Sequence, residues 1–119
     1  MATVPVGGIK RFTVEGNALD VADDPDFSVT TFKNETVPVI AGTPGTKVVM
    51  AIPYIEITVS TRGIRVADYV GQRGVTAQID LQNGRSYVWP SAAEVGDGKV
   101  AASDGKLTLR YESADAKEL

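Results

Sequence analysis

Four carboxylates crowd into the stretch DVADDPD, at Asp20, Asp23, Asp24 and Asp26. Oxygen ligands of this kind hold calcium, but a calcium loop also needs set spacing, a central glycine and a closing bidentate glutamate. Here Pro25 interrupts the run, no glycine falls at the turn and no glutamate closes it. The acids therefore read as a solvated turn between strands that adds a negative surface field. A second stretch, AGTPGTK, has the glycines and lysine of a phosphate loop. That loop requires GxxxxGK[ST] opening a helix, whereas Lys47 here follows Thr46 and leads into the strand-like VVMAI.

Catalysis has little to draw on. The sequence contains no cysteine and no histidine, which removes thiol nucleophiles, disulfides, thiolate metal sites, the commonest general base and the commonest zinc ligand. The hydroxyls of TTFKNET have no partner placed to activate them. Tyr69, Tyr87, Trp89 and Tyr111 suggest a stacking platform for sugars or bases. Tyr87 and Trp89 share one face of a strand, however, and Tyr111 continues an aliphatic face, so packing in a core or at a subunit interface is the simpler reading. The expectation is a protein that is not an enzyme and that needs no cofactor or metal.

These residues must be carried by strands. Most of the chain alternates with period two. In RFTVEGNALDV, Phe12 and Val14 face one way and Thr13 and Glu15 the other, before a turn at Gly16-Asn17. FSVTTF, residues 27–32, is a third candidate strand. KVVMAIPYIEITVS is the longest, with a bend, bulge or edge at Pro53, which cannot donate to a ladder. VTAQIDLQ sets Val75, Ala77, Ile79 and Leu81 against Thr76, Gln78, Asp80 and Gln82; Asn83-Gly84 then predicts a type I′ hairpin. Asp104-Gly105 turns into KLTLRYE. One segment departs: Ile64, Ala67 and Val70 at helical spacing, closed by Gly71, predict a short α-helix.

The fold class is thus mainly β, an antiparallel sandwich or barrel with one short α-helix. A length of 119 residues and a hydrophobic fraction of 43% suit one domain with one core. That domain spans residues 1–119, with a flexible arm at 1–8, a long loop at 33–47 and a tail at 113–119. The formal net charge of -3 and a pI near 4.8 argue against a phosphate-gripping surface. No apolar run approaches spanning length, and MATVPVGGIKR lacks the apolar block of a signal peptide, so no membrane insertion and folding in a cytoplasm are expected.

The loop ETVPVIAGTPGTK poses a question of its own. Its prolines and glycines mark a loop, yet Val37, Val39 and Ile40 are apolar. Either they fold back on their own domain or they dock on a neighbouring copy.

Four ordered stretches, KRFTVEGNAL, NETVPVIAGTPGTKVVMAIPYIEITVS, IDLQNGRSYVWPSA and VAASDGKLTLRYES, together resemble the tail tube protein of Mu-like, contractile-tailed bacteriophages. The similarity covers nearly the whole chain and lies in order and spacing rather than in any one motif. It implies a small barrel or sandwich shared with the tubes of type VI secretion systems. It also implies hexameric rings that stack into a hollow cylinder around a tape-measure protein, later passing DNA, within a virion tail assembled in the host bacterial cytoplasm. The partners implied are the chain itself, a sheath protein, a tape-measure protein, a baseplate and a tail terminator. Val37, Val39, Ile40 and Pro44 then become candidates for intersubunit docking. Thr76, Gln78, Asp80 and Gln82 become a wetted face, lumen or exterior, past which DNA moves without specific binding. A secretion or injection tube, or a carbohydrate-binding module using Trp89 and Tyr87, are the competing readings.

Overall fold

The computed structural model describes residues 8–23, 25–38, 42 and 45–119. Alternating sequences form antiparallel strands where expected: β1 (Ile9–Val14), β2 (Asn17–Leu19), β3 (Asp26–Ser28), β6 (Tyr54–Ser60), β7 (Val75–Leu81), β8 (Ser86–Glu94) and β10 (Lys106–Glu112). Two short strands, β9 (Val100–Ala101) and β11 (Lys117–Glu118), flank them, and β4 (Phe32–Val37) pairs with β5 (Gly45–Met50) apart from the rest.

The main sheet runs β2-β1-β7-β8-β10-β6-β3. It also closes on itself. Beyond β2 the chain runs along the free edge of β6, where Val21 bridges Val59, Ser60 N donates to Asp20 O at 2.8 Å and Ala22 N to Thr58 O at 2.8 Å. The result is a barrel whose inward positions are apolar but for Glu94 near the end of β8. Phe12, Val14, Ala77, Ile79 and Trp89 meet Ile55, Ile57, Val59, Leu107, Leu109 and Tyr111 in one core.

Strand β8 serves both halves of the barrel. Its first part pairs with β7 and β11 and its last residues with β10. The switch falls at Pro90-Ser91, where the register with β7 slips and Ser91 takes φ 52. A proline with no N–H to give the ladder is suited to such a bulge.

Four local expectations are corrected. First, the segment read as an α-helix is a single 3₁₀ turn, Val66–Asp68. Ala67 is exposed, and Ile64, Val66, Tyr69 and Val70 make the core contacts instead. β-Branched residues disfavour helix, Arg65 supplies no side-chain cap, and Gly71 at φ 78 stops propagation. Second, residues 27–32 do not form one strand: β3 ends at Ser28 and β4 starts at Phe32.

Third, the tight two-residue turn is at Glu15-Gly16, both at positive φ (52 and 80), with Val14 paired to Asn17. The Glu15 carboxylate is held there by accepting from Thr76 N at 2.7 Å. Fourth, Asn83 is not at positive φ, so the Asn83-Gly84 turn is not type I′. Gly84 N donates to Leu81 O at 3.1 Å, and Gly84 alone is left-handed at φ 88, which is a type I turn followed by a bulge.

Candidate functional site

The segment expected to be a long loop is largely a β-hairpin. Ladder pairs run from Phe32↔Met50 to Val37↔Gly45. Among the described residues neither strand pairs with the barrel. At its root Ala51 N donates to Thr31 O at 2.8 Å, and the buried Pro53, whose carbonyl accepts from Ser113 N at 3.1 Å, separates β5 from β6. The single long strand expected over KVVMAIPYIEITVS, bent or bulged at Pro53, is therefore two strands in separate sheets.

Paired residues share a face, so the hairpin has two unlike sides. On one, Phe32, Val48 and Met50 gather with Asn34, Thr36 and Thr46. These three apolar side chains are 59%, 67% and 89% exposed, and Ile52 beyond them 64%. On the other side Lys33 and Lys47 flank Glu35 at 3.7 and 3.9 Å. Such exposed pairs contribute about 0–1 kcal/mol. A lone two-stranded hairpin is marginal in water. One with bare methionine, phenylalanine and valine on a single face is built to be covered.

Of the residues expected to dock, Val37 lies on the charged side, half-buried. Val39, Ile40 and Pro44 lie outside the described residues. The apolar face consists of residues that the sequence reading passed over. Their signal was available: Val48, Met50 and Ile52 are spaced by two, the same alternation that marked the barrel strands.

The other candidates fall elsewhere. On β7, Thr76 and Gln82 are exposed and Gln78 is half-buried, as a wetted face requires, but Asp80 is only 9% exposed. Its carboxylate accepts from Ser86 Oγ at 2.6 Å, Gln78 Nε2 at 3.0 Å and Arg11 Nε and Nη2 at 3.1 and 3.0 Å. The Ser86 hydroxyl above all, then Gln78 and Arg11, hold this carboxyl below its ordinary range against the opposing effect of burial. A depressed native value means that the stabilisation is complete above about pH 4 and fades as pH falls through that value. Asp80→Asn is therefore expected to lose about 1–2 kcal/mol at pH 7. The gap should close in strong acid; urea melts at both pH values test this, and a pH-independent gap would refute it.

In the acidic stretch, Asp20 and Asp26 are exposed, Asp23 pairs with Lys106 at 3.6 Å and Asp24 lies outside the described residues. Among the described residues no three carboxylates come together to hold a metal ion. Trp89 and Tyr111 are fully buried, so neither offers a stacking surface, and Tyr87 is half-buried against Phe27 at 4.9 Å between ring centroids. No helix among the described residues is long and apolar enough to cross a membrane.

One buried polar cluster has no counterpart in the sequence reading. Glu94, 6% exposed, accepts from Gly71 N at 2.8 Å, Gly96 N at 2.7 Å and Arg110 N at 3.3 Å. Nearby the Tyr111 hydroxyl donates to Gln72 Oε1 at 3.0 Å; burial, with Glu94 and Tyr69 adding, pushes this phenol far above its ordinary range. The cluster fastens the 3₁₀ segment to the barrel.

A closed barrel that projects one half-apolar hairpin belongs to a class of protein that packs against other protein. The chain is a member of the phage tail tube protein family, whose model matches residues 3–118. This is a structural and not an enzymatic family, and it makes the chain a component of a virion tail. No curated protein matches the sequence closely enough to show a relationship.

Proposed function

We propose that the chain is the repeating subunit of the tube itself, assembling into hexameric rings that stack into a hollow cylinder, with the β4–β5 hairpin as its chief adhesive element. The observation that carries this reading is the unpaired hairpin with Phe32, Val48, Met50 and Ile52 bare on it. Burying them gains about 1.5–3 kcal/mol each. Association costs roughly 4–15 kcal/mol in lost freedom, so one contact is weak. Repetition around a ring makes it cooperative, and head-to-tail contacts close into rings while axial stacking stays open.

Such a tube would enclose a tape-measure protein and then pass DNA. A net charge of -3 suits a conduit that must not grip phosphate. Thr76, Gln78 and Gln82 remain the candidates for its wetted wall, with Asp80 fixed behind them. The partners in this reading are a surrounding sheath, a baseplate and a tail terminator, joined during assembly in the host bacterial cytoplasm.

The triple replacement Phe32→Ser, Val48→Ser and Met50→Ser should leave a folded monomer, because none of the three belongs to the barrel core. Negative-stain imaging at high concentration is expected to show stacked annuli for the unaltered chain and none for the variant. Normal tubes from the variant would sink the docking role of this face.

A further inference from the structure

The first part of β8 depends on a very short cover. One side of it is paired with β7, while β10 joins β8 only at Ala93 and Glu94. Among the described residues the other side is met by β11 alone, through the pairs Lys117↔Val88 and Glu118↔Tyr87. Leu119 N adds a hydrogen bond to Ser86 O at 2.8 Å.

Little holds this cover in place. Lys117, Glu118 and Leu119 are all exposed, and so is the ion pair between Glu118 and Arg85 at 3.3 Å. An exposed pair of this kind adds little to stability, and salt screens it. What lies beneath is of the opposite character. Ser86-Tyr87-Val88-Trp89 carries no charge and is rich in aromatic and β-branched side chains, a composition that pairs readily with other strands. Tyr87 and Trp89 pack toward the barrel core, so Val88 between them points outward, yet it is only 7% exposed. Lys117 stands directly across from it on the same face, where its methylene stem shields an apolar neighbour.

Short, charged edge strands keep sheets from recruiting other chains. We propose that β11 is a strap of this kind: seated, it denies the β8 edge to other molecules, and lifted, it lets that edge pair with the same edge of a second copy. The occupant follows from the stretch itself. Two uncharged edges meet without repulsion, and antiparallel pairing of a strand with its own copy is self-complementary. Such a contact closes at two copies, so an unstrapped molecule is diverted into a dimer. This goes beyond the tube reading and does not depend on it.

The test is made in the full chain with Val48→Ser and Met50→Ser, so that the hairpin face adds no association of its own. Glu118→Arg then sets a cation against Arg85, and Leu119→Pro removes the N–H given to Ser86; neither residue belongs to the barrel core. Circular dichroism checks the fold. Sedimentation equilibrium is expected to show a monomer before β11 is lifted and a dimer after. In dilute solution the Val88 amide should exchange faster in the lifted chain, ahead of Tyr87, whose backbone faces β7. Adding Val88→Lys, which puts a charge on the edge of both copies, should restore the monomer. If that variant does not fold, exchange decides instead: the Val88 amide should slow again at concentrations where the dimer forms. A lifted chain that stays monomeric at every concentration overturns the proposal. So does a dimer that survives Val88→Lys or leaves the Val88 amide unprotected.

Discussion

Trp89→Ala is expected to remove about 3–5 kcal/mol of stability, the usual cost of emptying a large aromatic site. The ring is fully buried in β8, meets Phe27 edge-on at 5.7 Å and donates its Nε1–H to Ser28 O at 3.2 Å. Strands β8 and β3 are not neighbours in the sheet, so this side chain ties one part of the barrel to another across the interior. The variant also orphans the Ser28 carbonyl, at a cost of about 1 kcal/mol more. Small domains hold roughly 5–15 kcal/mol in total, so a substantial unfolded fraction follows at moderate temperature. Urea unfolding followed by circular dichroism is the measurement, because Trp89 is the only tryptophan and its fluorescence disappears with it. A loss under about 1 kcal/mol would refute the bracing role.

Glu94→Ala should cost nearly as much for a different reason. No large cavity is made; instead the N–H groups of Gly71, Gly96 and Arg110 lose their acceptor together. A fully buried orphan costs about 1–3 kcal/mol, but Gly71 is exposed and Gly96 and Arg110 are half-buried, so entry of water brings the sum to about 2–4 kcal/mol. Glu94→Gln keeps one acceptor but turns an amide NH₂ toward donors, so an intermediate loss is expected. Amide hydrogen exchange should accelerate first at Gly71 and Gly96, ahead of the barrel strands. Uniform acceleration throughout the chain would count against a local fastening role.

The barrel was legible in the sequence because one face of each strand is buried, and burial forces period two. β7 and β10 were read almost residue for residue for that reason. What misled were places where local pattern and tertiary contact disagree. Ile64, Ala67 and Val70 have helical spacing, yet tertiary packing selects Val66 and Tyr69 over Ala67, and a 3₁₀ turn can present those where an α-helix of this sequence does not.

Asn83-Gly84 marked a hairpin correctly but not its turn type, since asparagine tolerates positive φ without requiring it. The hairpin at β4–β5 hid behind glycines and prolines that read as loop markers, although Gly45 is itself part of β5 and pairs with Val37. Attention to Val37 and its neighbours drew the eye from Val48, Met50 and Ile52, although all three lay in plain alternation. Asp80 and Glu94 were illegible in another sense: a carboxylate among alternating residues looks solvated until the donors around it, brought from distant strands, are known.

Closure of the barrel through Val21 and Val59 has a consequence for how a crowded solution of these molecules behaves. Open strand margins invite indiscriminate recruitment of stray chains. Sealing the edge of β6 leaves the projecting hairpin with the largest share of bare apolar side chains among the described residues. In the tube reading proposed above, faithful growth would then be a property of one projecting finger, with few other footholds for errors of register.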